Sequence, residues 1–91
     1  MYELRFTRLA KKSLKKLDHS GSFNRKHLEV LLEYFIRGTS LPAKYKDHQL
    51  KGDLSQFREC HLDFDLLVKY ERDEALQVVV VVDIGTHSNL F

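Results

Sequence analysis

The clearest structural signal in this chain is the stretch FRECHLDFDLLVKYERDEALQVVVVV, residues 57–82. It predicts three strands, at 57–62, 66–72 and 75–82, with turns at 63–65 and 73–74. Because connections this short join antiparallel neighbours, we expect an antiparallel meander. The five consecutive valines at 78–82 do not alternate with polar residues. They therefore predict a strand that is buried on both faces in the interior of the sheet.

A strand and two amphipathic helices are predicted upstream of this meander. Residues 2–6 alternate apolar and polar side chains, which is the period of a half-buried strand. Thr7 is expected to cap the first helix and Ser22 the second, and Gly38 followed by Pro42 marks the end of the second. The stripes that recur at helical spacing are Leu9, Ala10, Ser13, Leu14 and Leu17, then Leu28, Leu31, Leu32, Phe35 and Ile36.

These elements predict an α+β fold in a single domain spanning residues 1–91. The short break between the helices indicates a helical hairpin, which would pack on one face of a twisted antiparallel sheet. The other face of the sheet is then free to hold a functional site.

Composition and charge narrow the class of protein. The start of the chain lacks an apolar signal-peptide core, and its longest apolar run, residues 78–82, is too short to cross a membrane. The single cysteine, Cys60, cannot form an internal disulfide. We therefore expect a cytoplasmic protein without a membrane segment.

The net charge of +2 is unevenly distributed. The first predicted helix has a basic face and no acidic residue before Asp18. Clustered cations attract polyanions, so this face could serve RNA, DNA or an acidic protein, although a merely solvated helix face is the alternative. The basic face consists of Arg8, Lys11, Lys12, Lys15 and Lys16, and a second loose group consists of Lys44, Lys46 and Lys51.

Histidines and carboxylates concentrate in the second half of the chain. Strand alternation places Glu59 and His61 on one face of their strand and the apolar Cys60 on the other. Asp65 is expected to begin the next strand, close to His61 across the hairpin, and His87 follows the last strand. One sheet face is therefore predicted to collect His48, Glu59, His61, Asp65 and His87.

Such a set suits the cleavage of RNA. Histidine titrates near neutral pH, and a base and an acid on opposite sides of a phosphodiester suffice for attack by the 2′-hydroxyl. A cation should stabilise the charge on the phosphate. Inert surface histidines and a zinc site are the alternatives. The close ligand spacings that are typical of zinc sites are absent, so we expect no metal and no cofactor.

The chain also resembles a known family of bacterial toxins, the RelE/YafQ type. Residues 45–52, YKDHQLKG, resemble its YKDHxLxG segment, and residues 57–62, FRECHL, resemble its aromatic-Arg-acid-x-His strand. Asp65 and Tyr70 stand where the family has Asp and Tyr, and residues 85–91, GTHSNLF, match its closing G-[TS]-H-x-x-L-F. The resemblance covers essentially the whole chain.

This resemblance implies the RelE/ParE fold and a toxin of a type II toxin–antitoxin system. Such a toxin enters the ribosomal A site and cleaves mRNA there, as a metal-independent endoribonuclease that inhibits translation. The implied partners are a RelB/DinJ-like antitoxin, the ribosome and mRNA, and the toxin alone is expected to be a monomer.

The resemblance also assigns roles to residues. His48, His61, Asp65 and His87 match the family's catalytic His, His, Asp and His, and Glu59 stands where the family has an acid. The residues expected to contact substrate are Lys44, Lys46, Lys51, Arg58, Glu59 and Phe91. Arg58 has a structural alternative as the partner of a carboxylate, and Phe91 is either a core residue or a stacking ring for a base.

Two positions depart from the family pattern. Leu66 stands where a YafQ-type toxin carries Trp, and Asp83 stands near where many relatives carry Arg. The missing Arg would stabilise the phosphate, so Lys44, Lys46, Lys51 or Arg58 would have to substitute for it, or activity would be weaker. These departures keep open the alternative of a non-catalytic binding protein. A gyrase-directed ParE-type toxin is the other alternative, and the three matched histidines count against it because such toxins lack a histidine-rich catalytic face.

Overall fold

The computed structural model describes residues 1–21, 23–63 and 65–87. Within these residues the chain forms two α-helices, five strands and two short 3₁₀ turns. The helices are α1 (Arg8–Ser20) and α2 (Arg25–Arg37), and the 3₁₀ turns are Ala43–Tyr45 and Gly52–Leu54. The strands are β1 (Glu3–Phe6), β2 (His48–Gln49), β3 (Arg58–Asp63), β4 (Leu66–Asp73) and β5 (Val78–Thr86).

The five strands form one mixed sheet in the order β1-β5-β4-β3-β2. The meander β3-β4-β5 is antiparallel, as predicted, and β2 adds to it as a short antiparallel edge strand. Strand β1 instead pairs in parallel with β5, from Glu3 opposite Val78 to Phe6 opposite Val81. The expectation of a wholly antiparallel sheet was wrong at this strand. Connection length informs only about strands that are neighbours in sequence, and β1 and β5 lie at opposite ends of the chain.

Helix α1 begins where the sequence predicts, and helix α2 begins slightly later. The Thr7 side chain accepts a hydrogen bond from the Ala10 N–H at 3.0 Å and so caps α1. The N-cap of α2 is Asn24, whose side chain accepts from the N–H groups of Lys26 and His27. The predicted cap, Ser22, lies outside the described residues. Gly38 ends α2 with φ of 71°, and its hydrogen atom is needed because a Cβ there would lie 2.3 Å from the Tyr2 ring.

Both helices cover the same face of the sheet, and this confirms the predicted α+β class. The buried core comprises Ala10, Leu28, Leu31, Phe35, Tyr45, Cys60, Leu62, Val68, Tyr70, Val79, Val81 and Ile84. The valine run contributes only Val79 and Val81 to it, and Val78, Val80 and Val82 are half-buried. The predicted burial on both faces was therefore wrong, because helices cover only one side of β5.

We call the side of the sheet that neither α1 nor α2 covers the open face. The described side chains that alternate with the core residues onto it are Glu3 and Arg5 of β1, Glu59 and His61 of β3, Leu67, Lys69 and Glu71 of β4, and Val78 and Val80 of β5. Within the described residues, we find no helix with the length and apolar character to cross a membrane.

Candidate active site

A buried carboxylate and two imidazoles meet at one end of the open face. Glu59 of β3 pairs with His48 of β2, and the Glu59 Oε1 atom lies 3.6 Å from His48 Nε2. The ring centroids of His48 and His61 are 6.5 Å apart. The two histidines and Glu59 that the sequence placed on one face are therefore brought together.

Glu59 differs from its prediction in burial. It lies on the expected face, but only 4% of its surface is exposed, and its Oε2 atom is buried without a hydrogen-bond partner among the described residues. An unpaired buried carboxylate oxygen destabilises a protein. Because the fold retains this group beside His48, Glu59 is a stronger candidate for function than its sequence position alone suggested.

The backbone orients His48. Its Nδ1 atom lies 2.8 Å from the carbonyl oxygen of Lys46, so this nitrogen donates a hydrogen bond and Nε2 faces Glu59. Lys46 occupies the left-handed region with φ of 48°, which turns the chain between the first 3₁₀ turn and β2. By contrast, no hydrogen bond to the His61 side chain occurs within the described residues.

Strand register relates these groups to Asp65 and His87. His61 of β3 lies opposite Leu67 of β4, which lies opposite Gly85 of β5. Two strand spacings, about 10 Å, therefore separate the backbones of His61 and Gly85, and His87 is exposed just beyond the end of β5. Asp65 is exposed in the turn before β4 and is not the residue opposite His61, because His61 pairs with Leu67 and β4 begins only at Leu66.

The expected substrate-binding cations do not all lie at this site. Lys44 lines a cavity beside His61, whereas Lys46 lines a different cavity on the helix-covered side. Lys51 is exposed in the loop that follows β2. Arg58 stays a predicted substrate contact, but its side chain lies on the face opposite His61. Phe91 lies outside the described residues.

Arg58 instead belongs to a paired network behind the site. Its Nη2 atom donates to Asp47 Oδ2 at 2.9 Å, and the Tyr70 hydroxyl donates to Asp47 Oδ1 at 2.5 Å. The hydrogen bond that Arg58 donates to Asp47 raises the pKa of Arg58, and burial together with the same carboxylate raises the pKa of Tyr70. A cavity of about 590 Å³ adjoins this network, but the network satisfies its own charges. The structural alternative for Arg58 is confirmed.

The two positions that depart from the family pattern also face the helices. Ser13 of α1 donates a hydrogen bond to Asp83 Oδ1 at 2.6 Å, and the Ile84 N–H donates to the same oxygen at 2.8 Å. Leu66 packs against the hydrophobic core. Asp83 therefore joins α1 to the end of β5, beyond the residues that pair with β1.

The basic face of α1 meets the candidate site at one end only. All five of its residues are exposed, and α1 packs on the helix-covered side of β5. Most of the basic face therefore points away from the open face. Lys16 is the exception, because it lines a cavity together with Gly85 and Thr86, the residues that precede His87.

Sequence reasoning did not include three residues that lie near His48 and His61, namely Lys69, His27 and Asp63. Lys69 of β4 lies between Glu59 and Asp83 on the neighbouring strands, and alternation from Val68 and Tyr70 could have placed it on the open face. The Nδ1 atom of His27 in α2 lies 2.7 Å from the Oδ1 atom of Asp63 in β3. No local pattern predicts this second contact, because the two residues lie 36 positions apart in the chain.

Comparison with known proteins adds a family to this geometry. The chain matches the family described as "Bacterial toxin of type II toxin-antitoxin system, YafQ" over residues 2–91. It is 35% identical over 65 residues to the mRNA interferase toxin YafQ of Escherichia coli K12, which covers 70% of this chain and 68% of that protein. A metal-bound toxin from Helicobacter pylori is 37% identical, with a TM-score of 0.89 and coverage of 100% of both chains. A chain of the E. coli DinJ–YafQ complex is 25% identical, with a TM-score of 0.87 and coverage of 100% of this chain and 99% of that one. The chain therefore belongs to the YafQ family of toxins from bacterial type II toxin–antitoxin systems.

Proposed function

We propose that this toxin is an endoribonuclease that cleaves mRNA on the ribosome and so inhibits translation. The observation that carries the proposal is the cluster on the open face of His48, His61 and the buried carboxylate of Glu59, whose Oε2 atom has no hydrogen-bond partner among the described residues. The similarity of this chain to the mRNA interferase toxin YafQ of E. coli supports mRNA as the substrate.

The chemistry requires two proton transfers at one phosphodiester. A base removes the proton of the 2′-hydroxyl, and that oxygen attacks the adjacent phosphorus. The bond from phosphorus to the 5′ oxygen breaks, and an acid supplies the proton that the leaving oxygen takes up. The products are a 2′,3′-cyclic phosphate and a 5′-hydroxyl, and each proton-transfer group contributes roughly a factor of 10²–10⁴ in rate.

We assign these roles to the histidines on the two sides of the site. His48 and His61 lie on the β2–β3 side, where the Glu59 carboxylate is placed to stabilise the imidazolium while His48 carries a proton. His87 lies on the β5 side, two strands away, so a phosphate would fit between the two sides. Asp65, in the turn at the same end of the sheet, is the fourth member of the proposed set.

Lys69 is the cation that we propose in place of the missing family Arg. It lies in one row with His48 and Glu59 across β2, β3 and β4. Its Nζ atom is 4.8 Å from the centre of the Phe57 ring, which holds the ammonium group near the site. An ammonium group there would stabilise the charge that develops on the phosphate oxygens.

The steps of the proposed reaction are proton transfers by side chains. The H. pylori relative is described as metal-bound. In the part of this chain that the structure describes, no three His, Cys, Asp or Glu side chains are arranged to hold a metal.

The proposed partners follow from the family and from charge. Because a related toxin forms a complex with DinJ, we propose a DinJ-like antitoxin as the inhibitor of this protein. The basic face of α1 would attract an acidic segment of that antitoxin, or ribosomal RNA when the toxin is free. Because the proposed target is the translating ribosome, we propose that the protein acts in the cytoplasm.

The test is cleavage of a defined mRNA by the purified protein, with and without ribosomes, read by primer extension and by analysis of the product ends. We expect ribosome-dependent cuts that leave cyclic phosphate ends, and we expect His87→Ala to remove them. His19→Ala, at an exposed histidine of α1, is the matched control and should cleave normally. If the folded wild-type protein leaves mRNA intact under both conditions while still arresting growth, the nuclease proposal is wrong and a non-catalytic toxin is indicated.

A further inference from the structure

A small cavity beside His61 has no role in the reaction described above. It opens at the edge of β3, where β2 pairs only with Arg58 and Glu59 and leaves the rest of the edge uncovered by a strand. The first turns of α2 and the first 3₁₀ turn close it from the other side. Its lining comprises His27, Val30, Lys44, Tyr45, His61 and Asp63, together with Leu62.

The size and walls of this cavity suit one flat ring system. Its volume is about 240 Å³. This is below the range of about 300–1,000 Å³ that is typical of sites for drug-sized ligands, so a single base fits better than a whole nucleotide. Val30 is 48% exposed and gives the cavity an apolar wall, although it lies on a helix whose other apolar residues are mostly covered.

The polar side of the cavity is an ordered chain of hydrogen bonds. The Asn24 amide lies 3.3 Å from His27 Nε2, and His27 Nδ1 lies 2.7 Å from Asp63 Oδ1. With Asn24 donating to Nε2, the ring donates from Nδ1 to the carboxylate. No other hydrogen bond to the Asp63 carboxylate occurs in the described part of the chain. Asp63 is thus held in a fixed orientation while retaining capacity to accept further hydrogen bonds.

We propose that this cavity binds the base next to the scissile phosphate and selects for bases that present donors to Asp63. Guanine presents two adjacent donors, its N1–H and its amino group, so we expect guanine to be favoured most and uracil, which has no amino group, least. Lys44, whose Nζ atom lies 5.3 Å from the centre of the Tyr45 ring, would contact the flanking phosphate. His27 is a positioning residue that acts through Asp63.

This inference rests on the proposed ribonuclease activity and adds a sequence preference to it. The experiment is primer extension on ribosomes that carry mRNAs with each of the four bases in turn at the positions flanking the cut. Wild-type protein should prefer guanine at one fixed position, and Asp63→Asn should weaken that preference by about tenfold, because the amide replaces an acceptor with a donor. His27→Ala should weaken the same preference, and His27→Gln should restore part of it by donating to Asp63.

The matched control is Lys26→Ala, an exposed neighbour of His27 that does not line the cavity and should retain the wild-type preference. If Asp63→Asn and His27→Ala cut with the wild-type base preference, the inference is wrong and the His27–Asp63 contact only joins α2 to β3. Equal loss of cleavage at every base by folded Asp63→Asn protein would also overturn it. Absence of cleavage by the wild-type protein, in contrast, would refute the proposed function itself.

Discussion

Arg58 and Glu59 are neighbours in β3, yet their side chains belong to two unlike polar clusters on opposite faces of the sheet. Behind the sheet, the charge of Arg58 is matched by Asp47, and Asp47 also accepts from Tyr70. On the open face, Glu59 is more deeply buried, and one of its oxygens has no hydrogen-bond partner in the part of the chain that the structure describes. The charges of Arg58 and Asp47 stabilise the fold, whereas the fold retains the charge of Glu59 at a cost in stability. Groups retained at such a cost are the ones expected at a catalytic site.

The largest expected effect is on catalysis at the open face. Replacing His61 with alanine should lower the rate of mRNA cleavage by roughly 10²–10⁴ because a proton-transfer group is lost. The melting temperature should change little, since this side chain is half-exposed and makes no hydrogen bond within the described residues. Single-turnover cleavage on programmed ribosomes and a thermal melt measure the two effects. Cleavage at the wild-type rate by the mutant would remove His61 from the site.

The next effect is on stability, on the other side of β3. Asp47→Ala removes the partner of both Arg58 and Tyr70, so the free energy of unfolding should fall by about 2 kcal/mol. Urea unfolding measures this loss. The folded fraction should still cleave mRNA, because the network does not contact the open face. Asp53→Ala, at an exposed carboxylate of the second 3₁₀ turn, is the control and should unfold at the wild-type urea concentration.

Glu59→Gln should move stability and activity in opposite directions. The amide removes a buried charge whose ion pair with the half-exposed His48 is long, at 3.6 Å, so stability should rise by about 1 kcal/mol, which corresponds to roughly 4–8 °C in melting temperature. Cleavage should fall by about tenfold, because the imidazolium of His48 loses its counter-charge. A mutant that is less stable and fully active would show that Glu59 is a structural group like Asp47.

The smallest effect concerns Cys60, which lies between Glu59 and His61 in sequence but faces the helices. Burial raises the pKa of its thiol, so the reactive thiolate is scarce at pH 8 and becomes available only when the protein unfolds. Iodoacetamide should therefore leave the folded protein unmodified during the time in which urea-unfolded protein reacts completely. Rapid alkylation under native conditions, followed by mass spectrometry, would contradict the packing of β3.

The sequence predicts most of the fold because strand alternation and helix periodicity are local. Alternation correctly put Cys60 in the core with Glu59 and His61 on the other face. It failed for the valine run, because a run without polar residues does not reveal that helices cover only one side of the strand. The parallel pairing of β1 and the second strand at His48 depend on contacts between distant parts of the chain.

Prediction of the site was also limited to what local sequence patterns and motifs can show, because contacts between distant residues leave no local pattern. Resemblance to a family identified His48, His61, Asp65 and His87, and their catalytic roles stay predictions. The resemblance also suggested Arg58 as a substrate contact. A sequence motif does not show that the Arg58 side chain pairs with Asp47 on the face opposite His61. Strand alternation alone could have placed Lys69 on the open face. The contact between His27 and Asp63 could not be predicted, because it joins residues that are distant in sequence.

Asp83 has a consequence for how this protein behaves at high concentration. Strand β5 continues to Thr86, while β1 accompanies it only as far as Val81, so its last part forms a sheet edge next to α1. Bare strand edges recruit strands from other molecules and so promote aggregation. At this edge the Ile84 N–H is already bonded to the Asp83 carboxylate, which is itself held by Ser13. A second chain could pair there only by displacing a charged group, so we expect Asp83 to disfavour self-association through this edge.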